Sequence, residues 1–283
     1  MRLCLVAGVA IVLSVSPAVA ADPVPASAAA ATPAPTASPV AATPAADPAA
    51  AEKLLACMKA NIPPTVRIQT IEVTSFDRTG SERTLKGTIY ATREPNNKAS
   101  VMLRVDAPAD LARSAYLVRE NNSGDDIHIY LPAVNRTRRV TGAAVDGNLW
   151  GSDISYNDIK QLQGAFDGSG LKLEAPTQVD GQPAEVLTLT PKVGSTTKYN
   201  LIRAYIDQKT CLPLKAEFLQ GADVRKLMTA STKDFKQSGP RWYPAEIVVQ
   251  TPAEGTRTRV RVTGVSSGDK LSTRFFNPTS FYQ

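Results

Sequence analysis

The sequence predicts a mainly β protein with a few short helices, built around one curved antiparallel sheet. Two observations carry that expectation. Successive stretches alternate apolar and polar residues at the period of a strand: "DDIHIYLP" sets Ile127, Ile129 and Leu131 against Asp126, His128 and Tyr130, and "TRTRVRVTG" sets Thr256, Thr258, Val260 and Val262 against Arg257, Arg259 and Arg261. Turn signals separate the runs at Thr79-Gly80, Glu94-Pro95-Asn96, Ser123-Gly124, Asp180-Gly181, Gly221-Ala222-Asp223 and Glu254-Gly255, the rhythm of an antiparallel meander of roughly a dozen strands. With 283 residues, 43% of them hydrophobic and 20% charged, the chain can bury a substantial core in one large domain or two small ones.

Residues 1–20 stand outside that domain. Met1 and Arg2 make a short positive start, "LCLVAGVAIVL" is an apolar run too short to span a bilayer comfortably, and Ala18-Val19-Ala20 places small residues where a signal peptidase reads them. The segment reads as a secretory signal peptide cut after Ala20, which puts the mature chain in the periplasm. Residues 21–48, "ADPVPASAAAATPAPTASPVAATPAADP", are almost entirely Ala, Pro, Thr and Ser; the prolines forbid a continuous helix and the small side chains offer no face to bury, so a disordered linker is expected. The folded domain then occupies residues 49–283. It opens with a short helix, capped at Asp47, started by Pro48 and stopped by Pro63-Pro64, with Leu54, Leu55 and Met58 facing the core.

Beyond residue 20 the chain holds two cysteines, Cys57 and Cys211, and one histidine, His128. A structural zinc site needs about four Cys, His or acidic ligands in close array, so neither a metal nor a cofactor is expected. His128 lies between Ile127 and Ile129 on the polar side of a strand, an exposed position rather than a catalytic base. There is no G-x-S-x-G elbow, P-loop or dinucleotide fingerprint, and no catalytic residue is assigned: the protein reads as a non-enzyme. In an oxidising compartment the two cysteines are expected to form a disulfide, the alternative being two separately buried thiols. The net charge is +6, or +5 once Arg2 is removed. The densest basic patch, "NRTRRV" with Arg136, Arg138 and Arg139, lacks the interleaved aromatics that stack on bases, so nucleic acid is not expected as a partner. It reads as a solvated edge strand, or as a contact for an anionic headgroup or acidic partner.

One stretch, "GSDISYNDIKQLQG", gathers a serine pair, a tyrosine and two aspartates. Ser155 is a good N-cap, and Asp158 three residues later can return the capping bond and meet the positive helix end. Ile154 and Ile159 are placed as a hydrophobic staple, Gly164 can end the helix, and Tyr156, Ile159 and Leu162 share one face, with Trp150 and Phe166 as apolar bookends. The polar residues therefore read as the start of a short covering helix rather than an active site.

"YLPAVNRTRRV" followed by "GSDISYNDI" resembles the LolA-like outer-membrane lipoprotein-sorting proteins. Further matching features run from about Cys57 to the C-terminus, among them "NIPP", "VMLRVDAP", "KAEFLQ" and "WYPAEIVVQTPAEGTRTRVRV". The resemblance implies a half-barrel of antiparallel strands closed by helices, with an apolar concavity that holds a lipoprotein acyl chain or another lipid. It implies a monomer that exchanges cargo with an inner-membrane transporter and an outer-membrane acceptor. Leu103, Val105, Ile127, Ile129, Leu131, Leu187, Leu189, Val260 and Val262, on the apolar side of alternating strands, together with Trp150, Tyr156 and Ile159 of the cover, are then the candidate lining. The alternative is a lipid-sensing regulatory or adaptor module acting through protein contacts; a sensor of that kind is expected to carry a further C-terminal domain, which favours the carrier. The intact mass of the exported protein should correspond to a chain beginning at Ala21; retention of residues 1–20, or an added lipid mass, would contradict the leader assignment.

Overall fold

The computed structural model describes residues 48–63, 65–93, 98–121, 126–155, 158, 170–191, 197–267 and 273–283. Helix α1 (Pro48–Ala60) begins on a proline, whose missing N–H is no loss in a first turn. The strands are β1 (Arg67–Phe76), β2 (Glu82–Arg93), β3 (Ala99–Ala107), β4 (Ala115–Arg119), β5 (Asp126–Leu131), β6 (Arg136–Val140), β7 (Leu171–Val179), β8 (Gln182–Leu189), β9 (Leu201–Asp207), β10 (Pro213–Gln220), β11 (Asp223–Thr229), β12 (Phe235–Ser238), β13 (Arg241–Pro244), β14 (Glu246–Thr251) and β15 (Thr256–Ser267). Most are joined by tight turns of the residues that tolerate them. Asp180 and Gly181, for example, take φ of 50° and 78°, as a two-residue hairpin of the right twist requires.

Thirteen strands form one sheet in the order β6-β5-β4-β3-β2-β1-β15-β14-β11-β10-β9-β8-β7. The pairing of β1 with β15 along the whole of β1 joins the first half of the domain to the second. β6 and β7 are the two edges, so the sheet is curved but not closed into a barrel. Bulges lie where the curve needs them, between Thr70 and Ile71, Lys86 and Gly87, and Phe218 and Leu219. At Gly87 a Cβ would come within 2.6 Å of the Arg104 carbonyl oxygen, so only glycine permits that approach of β2 to β3.

The alternation decides which residues each face buries. Ile71 and Val73 of β1, Leu85 of β2, Leu103 and Val105 of β3, Tyr116 of β4 and Ile127 of β5 share one buried cluster with Leu187 and Leu189 of β8, Ile202 of β9, Phe218 of β10, Met228 of β11 and Val249 of β14. A single cluster reaching from β5 to β8 requires both halves to turn this face inward. Ala51, Leu55 and Met58 of α1 join it, with Leu54 packed at its border, as do Val145, Leu149 and Ile154 from the segment after β6. Among the described residues the inner face is therefore covered by α1 and by residues 142–155, which form a 3-10 turn and a tight hairpin. The outer face carries two smaller clusters. Tyr90, Met102, Ala115 and Leu117 meet Phe275 and Phe281 of the C-terminal segment, and Ala184, Leu212 and Leu214 meet Phe235 and Trp242 of the separate β12–β13 hairpin.

Cys57 and Cys211 form a disulfide that ties α1 to the turn between β9 and β10, with a Cα–Cα distance of 5.9 Å. Asn61 fastens the same end of the helix, donating from Nδ2 to the Thr210 carbonyl and accepting at Oδ1 from the Trp242 amide. The bridge closes a loop with a sequence separation of 154. In the chain-entropy treatment such a loop contributes about 5 kcal/mol. The double variant Cys57→Ser/Cys211→Ser should unfold at clearly lower denaturant concentration than the oxidised protein; equal midpoints would show that the bridge adds nothing.

Candidate functional site

The residues that the sequence marks out after β6 fold back onto the inner face. Asn148 and Ser155 bridge as an antiparallel pair, the Leu149 amide donates to the Ile154 carbonyl at 2.7 Å, and the Ser152 amide donates to the Leu149 carbonyl at 2.8 Å. The two residues at the tip, Trp150 and Gly151, have φ of 47° and 78°. This is a two-residue turn with both central residues left-handed, ordinarily the place of Asn-Gly; a tryptophan there is unusual and needs support from packing. The support is visible: Leu149 and Ile154 are buried in the main cluster and Trp150 packs against it.

Two buried carboxylates, Asp153 and Asp158, fasten this segment to the second half of the sheet. The Asp153 carboxylate accepts hydrogen bonds from the hydroxyls of Thr251 at 2.7 Å and Thr258 at 2.7 Å, and from that of Thr256, while the Asp153 amide donates to the Thr258 hydroxyl oxygen. Ser155 and Asp158 form the reciprocal cap that their spacing predicts. The Ser155 amide donates to Asp158 Oδ2 at 2.7 Å, and the Asp158 amide donates to Ser155 Oγ at 3.2 Å. Asp158 then pairs with Lys226 Nζ, and both side chains are almost wholly buried, at 1% and 4% exposure. Beside them burial pushes the Tyr199 hydroxyl far above the ordinary phenol range, helped by the charges of Asp158, Asp146 and Glu254, so this tyrosine stays neutral.

Between this roof and the sheet lies an apolar cavity of about 70 Å³. Ile71, Val73, Leu85, Ile89, Leu103 and Val260 form its floor, Leu149, Trp150 and Ile154 its roof, and Leu111 a side, with Ser75, Arg83 and Ser152 as polar members. An apolar cavity of roughly 150 Å³ accommodates one benzene ring, so the space beneath the roof is too small to enclose an acyl chain. A long ligand fits this face only if the roof moves.

The candidate lining divides accordingly. Leu103, Trp150 and Val260 line the cavity. Val105, Ile127, Leu187 and Leu189 are in the buried cluster of the same inner face, Val262 packs against it, Ile129 is buried beside them, and Leu131 at the end of β5 is half-exposed. Tyr156 and Ile159 lie outside the described residues, as do Leu162, Gly164 and Phe166. The floor residues Ile71, Val73 and Leu85 are absent from the sequence-based set; their signal was the alternation of "RIQTIEV" in β1 and "TLKGTIY" in β2. Lys226 carried the fainter signal of a charge two residues before the apolar Met228 on one strand.

The basic patch is an edge strand, β6, as its composition suggests. Its register with β5 sets Arg136 opposite Leu131 and Arg138 opposite Ile129, on the inward side, while Arg139 faces His128 and pairs with Asp126 at 3.0 Å. His128 is more enclosed than an exposed strand position: its side chain is 14% exposed, with Nδ1 3.8 Å from Asp126. Burial lowers its pKa, with Asp126 opposing and Arg139 and Arg119 adding to the effect.

This geometry, a curved open sheet with an apolar inner face under a helix and a roof segment, is the LolA-like fold. A DUF1329 family protein from Desulfovibrio piger is similar at 24% identity and a TM-score of 0.74, over 82% of this chain and 98% of that one. A domain from Vibrio parahaemolyticus described as an outer membrane lipoprotein-sorting protein is similar at 21% identity and a TM-score of 0.73, over 82% of this chain and 100% of that one. A LolA superfamily protein from Nitrosomonas europaea follows at 16% identity and a TM-score of 0.63, over 80% and 97%. No curated protein matches the chain. A family model described as "Uncharacterized protein" matches residues 97–283, and the chain belongs to that family.

The fastening of the roof is open to mutation. Lys226→Ala leaves the Asp158 carboxylate buried without its cation and should cost about 3–5 kcal/mol, whereas the pair Asp158→Leu/Lys226→Met should recover most of that loss. Ser155→Ala should cost about 1 kcal/mol through the cap. Urea unfolding of the variants measures all three; a Lys226→Ala protein as stable as wild type would remove the ion pair from the account.

Proposed function

We propose that the protein is a periplasmic carrier or receptor that takes a lipoprotein acyl chain, or another long apolar chain, onto its inner face for transfer toward the outer membrane. The observation that carries this reading is the roofed apolar cavity: a floor of strand side chains under a separate segment held by a few side-chain bonds. A close-packed core has no need of such an arrangement. Binding is reversible burial, without bond chemistry. The chain replaces Leu149, Trp150 and Ile154 as the partner of the sheet, and each methylene removed from water is worth about 0.8 kcal/mol.

The fold shared with a domain described as an outer membrane lipoprotein-sorting protein supports the same reading. Closure over the bound chain belongs, in this reading, to α1 and the hairpin. In this reading an inner-membrane transporter delivers the cargo, an outer-membrane acceptor removes it, and Arg136 and Arg138 on the exposed edge strand meet the headgroups or the partner. The protein works as a monomer.

The experiment is uptake of a fluorescent long-chain fatty acid by the exported protein, together with mass spectrometry of lipids that copurify with it. Wild type should take up the probe, and Leu103→Gln, which sets an amide in the cavity floor, should lower uptake several-fold while the protein still melts cooperatively. If wild type takes up neither probe nor native lipid, the inner face is an ordinary packed core and the carrier reading fails.

A further inference from the structure

A second cavity, of about 500 Å³, lies against the C-terminal half of α1, and its lining divides by chemistry. Leu55, Ala56 and Ile62 form an apolar wall, while Lys59, Arg93 and Arg241 bring positive charge; Glu52 is the one carboxylate in the lining. Arg67, at the start of β1, adds a further guanidinium nearby. Its Nη2 donates to the Asn61 carbonyl at 2.7 Å. Its pKa is pushed down, by burial first and then by the positive charge of Arg241, with Tyr243 opposing.

Arg93 has Glu120 as an anionic neighbour, whereas Arg67 and Arg241 repel each other in a partly desolvated place. Arg241 is the clearest case: its Nε is buried and has no hydrogen-bond partner among the described residues. It is held there by its neighbour, since the Trp242 amide donates to Asn61 Oδ1 at 2.9 Å. The planar fork of arginine suits the oxygens of a carboxylate or phosphate. A free inorganic anion would use the cations and leave the apolar wall bare. The wall therefore selects for an anion with a hydrocarbon part.

We propose that this cavity binds the anionic headgroup of an amphiphile, a carboxylate or phosphate placed on Arg241 and the neighbouring cations, with the adjoining part of the chain against Leu55 and Ile62. The inference rests on the carrier reading for the lipid nature of the ligand and adds where its charged end is read. Ile89, in the floor of the roofed cavity, and Arg93 lie on the same side of β2 four residues apart, about 13 Å along the strand.

The test is calorimetric titration of the exported protein with dodecyl phosphate, inorganic phosphate and the uncharged dodecyl maltoside, each amphiphile below its micelle concentration. Dodecyl phosphate should bind at least about tenfold more tightly than inorganic phosphate, and Arg241→Gln should weaken it about tenfold without changing dodecyl maltoside. Ala56→Glu, at an exposed helix position that tolerates the change, sets a carboxylate beside the cavity and should weaken dodecyl phosphate in the same selective way even if Arg241→Gln does not fold. Inorganic phosphate binding as tightly as dodecyl phosphate would overturn the amphiphile, and dodecyl phosphate binding untouched by both variants would overturn the site. Loss of fatty-acid uptake in Leu103→Gln, with dodecyl phosphate indifferent to Arg241 and Ala56, would leave the carrier reading standing and remove this one; the reverse pattern would keep the anion site without the carrier.

Discussion

The interaction on which the arrangement depends is the seating of Asp153 among three threonine hydroxyls. Thr256 and Thr258 alternate on the inner side of β15, Thr251 stands opposite Thr256 on β14, and their hydroxyls converge on one carboxylate brought from a hairpin about a hundred residues earlier in the chain. A buried carboxylate without donors is very costly, so this hairpin has one favourable place on the sheet. The Asp158–Lys226 pair adds a second fixed point on β11. Together they determine where Leu149, Trp150 and Ile154 meet the floor, and so where the cavity lies.

Polar fastenings of this kind suit a roof that opens. Burying about fourteen methylenes is worth on the order of 11 kcal/mol. Releasing a charged hydrogen-bond cluster costs about 1.5–3 kcal/mol per bond, and separating the ion pair costs less than its attraction because charges exposed by the opening regain water. The two sides are of the same order, which is the condition for an exchange that runs in either direction. The left-handed Trp150 at the hairpin tip fits the same picture: a strained backbone held only while its side chain is packed.

Local features were legible in the sequence and distant ones were not. The Ser155–Asp158 cap follows from a spacing of three residues, and the alternation of "TRTRVRVTG" already put Thr256, Thr258, Val260 and Val262 on one side. The disulfide followed from the oxidising compartment that residues 1–20 lead one to expect and from there being one possible pairing beyond residue 20. What periodicity cannot supply is the partner across the sheet. Nothing near Asp153 points to threonines about a hundred residues away, and Lys226 becomes meaningful only when β11 and the roof are seen to touch. The cavity was equally out of reach, since it is a place where side chains fail to meet. Spacing patterns record contacts along a strand or helix, and record nothing of a gap between elements.

Hydrogen exchange at the Leu149 and Asp153 amides, followed with and without a long-chain fatty acid, tests the central claim most directly. Both amides are bonded inside the roof, to the Ile154 carbonyl and the Thr258 hydroxyl. If the roof lifts to admit a chain, their exchange rates should change on adding the ligand while amides in the middle of β10 keep theirs. Unchanged protection at both amides under saturating ligand would show that the roof stays down and that the inner face is sealed core.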